Sequence, residues 1–444
     1  MPLLENTETQ PSLPEVYRSI TIPEGKGFWR KLLAFAGPGY LVSVGYMDPG
    51  NWATDIAGGA QFGYTLLSVI LFSNFIAILL QSLCVRLSVA TELDLAKSCR
   101  HKFNQKVNIV LWILAEIGIV ATDLAEVIGG AIALQLLFHI PLFVGVCLTS
   151  LDVIVLLMLQ RHGFRYLEAL VITLVSSIGL CFVLEVIFSH PDFGSVMLGF
   201  VPNPAIIQQQ EMLYVALGIL GATVMPHNLY LHSAIIQTRA WQHTPEKKRE
   251  AITFGTIDST IALTFALFVN AAILVVAAAA FHFSGHQGVA QIEDAYKLLS
   301  PLLGVKVASF VFALALLASG QSSTLTATLS GQIVMEGFLN LRLTPWVRRL
   351  ISRLAAIIPS LICIALFGDS STTKLLIFSQ VLLSFQLSFA VFPLVMFTSD
   401  RQFMGEFVNP LWLKLVSWGV ALVIAGLNVW LIWQSMLSVL SPKS

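Results

Sequence analysis

Two short polar interruptions, Asp48-Pro49-Gly50-Asn51 and Met225-Pro226-His227-Asn228, sit inside otherwise apolar stretches of the chain. They offer a carboxylate, carboxamides, a thioether and an imidazole at hydrocarbon depth. Proline lacks an N–H, and its ring clashes with the carbonyl four residues back. Pro49 and Gly50 therefore open the helical ladder around Asp48 and Asn51, while Pro226 releases the Ala222 carbonyl beside Met225. Unpaired backbone groups cost several kcal/mol in lipid, so such breaks persist only where they line an enclosed or watered cavity. A pair of them marks a binding site near mid-membrane depth. A thioether suits Mg²⁺ and Ca²⁺ poorly but tolerates softer first-row ions, so the donor set fits a transition-metal cation. Read singly, Asp48 is a helix cap and Met225 is core filler; read as a pair, both face one ligand.

A second group lies on the third apolar stretch, where Glu116, Asp123 and Glu126 are spaced by seven and three residues. At about 100° per residue they fall within roughly a quarter-turn arc. Intramembrane carboxylates on one face line a proton or ion route, or else pair with Arg348, Arg349 or Arg353 further along, and the two readings are compatible. His227 and His232 titrate near neutral pH in their unperturbed state, and His227, adjoining the break, ranks first. Asn270 is the candidate for a water-mediated metal contact, against a plain helix-packing role. Glu185, Asp55 and Asn74 are the remaining buried polar candidates.

The elements that position these groups follow from hydropathy. The 444 residues are 56% hydrophobic and 11% charged, with mean hydropathy +0.80, whereas a soluble domain carries about 25% charged residues. The spacing predicts an all-α membrane protein with eleven spans at about 31–57, 64–90, 107–135, 141–160, 166–188, 211–238, 252–281, 304–338, 346–367, 373–398 and 411–438. The connection from His282 to Gly304 has room for a short helix. Residues 1–25 are polar, contain Pro11, Pro14 and Pro23 and lack the features of a secretory signal, so they read as a flexible tail.

With the N-terminus inside, 21 of the 25 Lys and Arg residues fall on the cytoplasmic side, leaving Lys297, Lys306, Lys374 and Lys443 outside. Retention of basic residues inside thus supports both the count of eleven and an extracytoplasmic C-terminus. The expected division is a cytoplasmic tail over 1–30, a five-helix block over 31–188, an extracellular linker over 189–210, a second block over 211–398, and an eleventh helix with its tail over 399–444. An odd number of helices per block inverts the second relative to the first, and each block begins with a broken helix. That is the LeuT type of inverted five-helix repeat, broken in helices 1 and 6.

Several classes are excluded. No basic-aromatic tract suggests nucleic acid, and no G-x-x-x-x-G-K-[ST] motif suggests a nucleotide. Five scattered cysteines form neither a disulfide framework nor a zinc motif. An intramembrane metalloenzyme would need a nucleophile or a closed set such as H-E-x-x-H, and neither is present.

Asp48-Pro-Gly-Asn51 together with Met225-Pro-His-Asn-Leu-Tyr-Leu-His-Ser233 resembles the Nramp family of proton-coupled divalent-metal transporters. Asp123-Leu-Ala-Glu126 followed by Gly129-Gly130, and Phe283-Ser-Gly-His286, are similar to its bacterial manganese-transporting members. The resemblance runs from about residue 30 to 438. It implies that Asp48, Asn51, the Ala222 carbonyl and Met225 bind the metal, joined in some conformations by Gln380, whose alternative is an interhelical hydrogen bond. It implies a proton path through His227, Glu116, Asp123, Glu126 and His232 with Arg348 and Arg353.

The retained Met225 points to Mn²⁺, with Fe²⁺ as a further cargo, because relatives lacking it carry Mg²⁺. Metal and protons would be transported substrates rather than cofactors. The expected setting is a bacterial inner membrane, with the lipid bilayer and no obligatory protein partner. The rival of like architecture is a sodium-coupled LeuT-type transporter of a small organic substrate, which would have to accommodate the charge of Asp48.

Overall fold

Proline and side-chain caps set where the helices begin. The computed structural model describes residues 13, 16–23, 25, 27–149, 164–286, 291–303, 307–341, 345–368 and 372–440. Pro38, Pro49, Pro226 and Pro245 each stand in a first helical turn, where a missing N–H is harmless. Asp48, Asp94, Asn104 and Thr244 each accept a hydrogen bond from the backbone N–H three residues on.

The helices used below are α1 Phe28–Phe35, α2 Pro38–Gly45, α3 Pro49–Phe62, α4 Leu67–Thr91, α5 Leu95–Lys102, α6 Gln105–Phe138 and α7 Leu142–Leu148. They continue with α8 Phe164–Ser189, α9 Gln210–Thr223, α10 Pro226–Ile235, α11 Pro245–Ala277 and α12 Ile292–Leu303. The last four are α13 Ala308–Leu339, α14 Pro345–Phe367, α15 Thr372–Ser399 and α16 Leu411–Leu440. Both expected breaks are present, between α2 and α3 and between α9 and α10. The short helix anticipated between residues 282 and 304 is α12.

Among the described residues, eight helical runs are long and apolar enough to cross a membrane, and the difference from eleven has three sources. The first expected span is divided at Asp48, and its second half α3 runs on through a turn at Gly63–Leu66 into α4. The fourth is described only as far as α7 and Thr149, since residues 150–163 lie outside the described residues. The ninth, α14, has its apolar stretch confined to Arg353–Leu366. Exposed apolar side chains such as Ile113, Leu180, Val183, Ile358, Ile362, Leu422 and Val423 give α6, α8, α14 and α16 surfaces suited to lipid.

Close approach of backbones draws the other helices onto the breaks. A Cβ at Gly129 on α6 would overlap the Pro49 ring, and one at Gly50 would overlap the Gln380 amide of α15. A Cβ at Gly221 would collide with the α15 backbone at Gln380 and Ser384. Small residues thus let α6, α9 and α15 close around the site. Trp52, fully buried on α3, lies between Phe182 of α8 and Phe312 of α13, with ring centroids 4.8 and 5.1 Å away.

The expectation of a flexible tail over residues 1–25 is corrected for the part that is described. Ile20–Thr21 pairs in parallel with Arg239–Ala240. The Arg18 N–H donates to the Gln237 carbonyl at 2.9 Å, and Leu13 is buried in the main core. Backbone pairing with a partner more than two hundred residues away is invisible to local composition.

Candidate metal site

The first break is held open by side chains that donate to its carbonyls in place of the helix. Asn270 of α11 donates to the Tyr46 carbonyl at 2.8 Å, and Trp52 donates to the Met47 carbonyl at 3.2 Å. Ser319 of α13 also donates to the Met47 carbonyl. These bonds remove the penalty that bare carbonyls would carry away from water. Sequence reasoning placed Asn270 near the ion; here it braces the break and touches Asn51 Oδ1 at 3.4 Å. Ser319 and Trp52 were not foreseen, since a hydroxyl or an indole in an apolar helix gives no periodic signal.

Asp48 and Asn51 form the centre. Asp48 Oδ1 accepts from the Asn51 backbone N–H at 2.8 Å and from Asn51 Nδ2 at 2.7 Å. Asp48 Oδ2 is buried with no hydrogen-bond partner. Asn51 Nδ2 also reaches the Ala222 carbonyl at 3.1 Å and the Gly45 carbonyl at 3.2 Å. One side-chain nitrogen thus gathers oxygens from both breaks. A cation and an amide NH₂ seek the same acceptors, and rotating the carboxamide would present Oδ1 in place of Nδ2.

The second break brings the remaining donors. Val224 is non-helical and Met225 extended, so α9 ends and α10 restarts around the Ala222 carbonyl. Met225 is fully buried, and a Cβ at Gly45 would lie 3.1 Å from its sulfur. Asn228 Nδ2 donates to the Val42 carbonyl of α2 at 3.3 Å, tying the two breaks together. Gln380 sits against Gly50, with Nε2 on Ser379 Oγ at 3.1 Å and Oε1 without a hydrogen-bond partner. Asp48, Asn51, Ala222, Met225 and Gln380 are therefore gathered around the two breaks, with a carboxylate oxygen, a carboxamide oxygen and a thioether available to a soft or borderline divalent ion.

The expected proton row is only partly assembled. His227 Nδ1 lies 3.3 Å from Thr122 Oγ1 on α6, one residue before the buried Asp123. Arg353 of α14, itself buried, lies 3.5 Å from Glu126 Oε2 and donates to Thr324 Oγ1 at 2.7 Å. Thr324 donates to the same Glu126 oxygen at 3.0 Å, and Arg353 reaches the Asp123 carbonyl at 3.4 Å. Of the two readings of these carboxylates, the ion pair is present between Glu126 and Arg353, and Asp123 meets Arg353 through its backbone carbonyl.

Glu116 shares their helical face but is half-buried and accepts from Trp112 at 2.9 Å. The Arg348 side chain lies outside the described residues. His232 stands apart from the carboxylates, its Nδ1 2.9 Å from Gln81 Oε1, while Gln81 Nε2 donates to the Tyr46 hydroxyl at 3.0 Å. It faces α4 because it lies five residues beyond His227 on α10, about 140° around the helix. Among the other candidates, Asp55, Asn74 and Glu185 are buried with carboxylate or carboxamide oxygens lacking hydrogen-bond partners.

Two cavities open away from the breaks. One, of about 590 Å³, is lined by Gln61, Gln210, Glu211, Tyr214, Gln291 and Thr373 among others, and reaches Ile377, one turn before Gln380. The second, of about 340 Å³, includes Gln135, His139, Gln291 and Glu293. Gln291 lines both, so polar side chains continue from the solvent toward α9 and α15.

The chain is similar to known proteins over most of its length. The family model described as natural resistance-associated macrophage protein-like, Nramp, matches residues 39–434. A divalent metal cation transporter MntH of Nostoc sp. is 69% identical over 429 residues, covering 97% of each chain. The protein of that name from Listeria monocytogenes is 61% identical over 431 residues, covering 97% of this chain and 96% of that one. A solved structure of the Eremococcus coleocola manganese transporter, in complex with an aromatic bis-isothiourea compound, superposes with TM-score 0.89 at 41% identity. That match covers 98% of this chain and 93% of the other. Mhp1, a nucleobase-cation-symport-1 family transporter, matches at TM-score 0.58 with 14% identity over 90% of this chain and 91% of its own, a likeness of fold alone. The architecture is of the LeuT type, and the chain belongs to the Nramp family.

Proposed function

We propose that this protein imports divalent transition metals, chiefly Mn²⁺ with Fe²⁺ as a further substrate, by proton-coupled alternating access across a bacterial inner membrane. The transport of divalent metal is supported by relatives named for it, and manganese by the solved transporter of like structure. One observation carries the site assignment: Asn51 Nδ2 joins Asp48 Oδ1 to the Ala222 carbonyl, so both breaks converge on one point beside Met225. Metal would be held by Asp48, Asn51, the Ala222 carbonyl and Met225, with Gln380 joining from α15.

In this reading protons move by way of His227, Asp123, Glu126 and Arg353, with Glu116 further along the same face. Support for coupling comes from the contact of His227, in the second break, with Thr122 of α6, one turn before the Glu126 that pairs with the buried Arg353. The tail to residue 30 and most basic residues face the cytoplasm, the blocks 31–188 and 211–398 are inverted repeats about the site, and 189–210 links them outside. Segment 399–444 supplies the last helix and an extracytoplasmic end. No resident cofactor, enzymatic step or obligatory protein partner enters this mechanism. A sodium-coupled carrier of an organic substrate is disfavoured by the Asp48 carboxylate at the point where a substrate carboxylate would dock.

The test is uptake into proteoliposomes of purified protein for a panel of Mn²⁺, Fe²⁺, Mg²⁺ and Ca²⁺, with and without an inward proton gradient. Mn²⁺ uptake stimulated by the gradient supports the reading. Uptake indifferent to the gradient removes coupling, and absence of Mn²⁺ uptake removes the function.

A further inference from the structure

The start of α2 is fastened by the Arg239 segment, α8 and α11, and Arg239 joins α8 to the carbonyl just before α2. Its side chain is fully buried. Nη1 donates to Glu168 Oε1 of α8 at 2.6 Å, and Nη2 donates to the Ala36 carbonyl, just before α2, at 2.6 Å. Asp258 of α11 accepts from the Gly39 N–H at 2.7 Å and from the Gly37 N–H at 3.3 Å, capping α2 from the other side. Arg165 of α8 adds a bond to the Ala36 carbonyl at 2.9 Å. Gly37 has φ +140°, and a Cβ there would run into the Glu168 carboxylate and the Arg239 guanidinium.

The backbone of this same Arg239 carries the tail. Ile20 and Thr21 pair with Arg239 and Ala240, the Arg18 guanidinium donates to the Trp241 carbonyl at 2.7 Å, and the Leu13 N–H reaches Glu336 Oε2 at the end of α13 at 3.4 Å. The described tail residues therefore touch both the end of α13, at Leu13, and the segment after α10, at Arg18, Ile20 and Thr21. Because α2 is the first half of the first broken helix, its movement requires the Ala36 and Gly37 contacts to part.

We propose that Leu13 and residues 16–21 act as a strap which holds Arg239 in place, and that Arg239 is a positioning residue that keeps α2 docked against α8 and α11 until the strap is released. The proposal rests on the alternating-access reading for its consequence in transport, but the docking of α2 is measurable without transport. A passive tail would follow α2; a strap bonded to the anchor controls it.

The test is amide hydrogen exchange on the full-length protein in nanodiscs, beside a deletion of residues 2–21 and the Glu168→Gln and Asp258→Asn variants. Initial Mn²⁺ uptake is measured on the same preparations. Loss of the strap is expected to speed exchange at the Gly37, Gly39 and Leu41 amides by about tenfold, the order set by one or two hydrogen bonds, with α6 unchanged. Glu168→Gln and Asp258→Asn are expected to do the same at those amides while Ile20–Thr21 stays protected. In uptake, strap deletion is expected to change the maximal rate about threefold or more with half-saturation by Mn²⁺ unchanged. Unchanged exchange at residues 37–41, faster exchange throughout α6, or an unaltered maximal rate would each overturn the strap. Should wild-type protein fail to move Mn²⁺ while the exchange pattern appears as described, the docking role stands and the transport reading fails.

Discussion

Asn51 Nδ2 lies 3.1 Å from the Ala222 carbonyl, joining residues 171 positions apart in the chain. Because the same nitrogen holds Asp48 Oδ1, the half-helix that begins at Pro49 and the one that ends at Thr223 meet through one carboxamide. A site assembled in this way depends on charge at Asp48 more than on its shape.

Asp48→Asn preserves the acceptor for the Asn51 N–H and removes the charge. Mn²⁺ affinity measured by calorimetry is expected to fall by about 100-fold or more, the order of a lost charge-assisted contact. Binding within a few-fold of wild type would exclude Asp48 as a ligand.

Met225→Ala removes the thioether at the second break, beside Gly45. Some Mn²⁺ uptake is expected to survive, while Ca²⁺ and Mg²⁺ become about tenfold better competitors because the remaining donors are oxygens. Competition curves that overlay those of wild type would dismiss the thioether as a selectivity element.

Glu126→Gln keeps an oxygen for the Thr324 hydroxyl but removes the carboxylate 3.5 Å from the buried Arg353. Stimulation of uptake by an imposed proton gradient is expected to fall to about one-fifth or less, with Mn²⁺ affinity unchanged within about threefold. A thermal scan accompanies the assay, since losing one member of a buried pair destabilises by roughly 3–5 kcal/mol. Full gradient stimulation in a folded Glu126→Gln protein would take this carboxylate out of the route.

Glu92, the residue capping the end of α4, tests pH outside the spans. Its burial pushes the carboxyl up, but hydrogen bonds from Lys248 at 2.9 Å and His243 at 2.6 Å, with their charges, hold it below the ordinary value for glutamate. A carboxyl depressed by folding contributes stability above its unfolded pKa and loses it as pH falls through the folded one. Melting temperature is therefore expected to drop as pH falls below the ordinary glutamate value of 4.5, and to drop less steeply in Glu92→Gln. Parallel curves for the two proteins would show that this cluster adds nothing to acid sensitivity.

Both breaks were legible because proline deletes a donor wherever it stands, and because polar groups within apolar runs have few uses. Asp48, Asn51, Ala222 and Met225 could be named on that ground, and Asp123 and Glu126 on helical periodicity. The partners that complete them were not legible. Thr324, Ser319, Gln81 and Glu168 are ordinary polar residues whose roles come from neighbours far away in sequence. His232 shows the limit from the other side: its type suggested a proton carrier, but its position on α10 turns it toward Gln81. The tail read as flexible because a two-residue strand has no periodicity of its own.

The anchors of α2 are made late. Ala36 is 203 residues ahead of Arg239, and Gly37 is 221 ahead of Asp258. As the chain leaves the ribosome, its opening segment must remain in the bilayer without these contacts until more than half of the protein has been inserted. Assembly therefore closes on the end that was synthesised first, and a nascent chain halted before Asp258 would leave its amino end loose and exposed to membrane proteases.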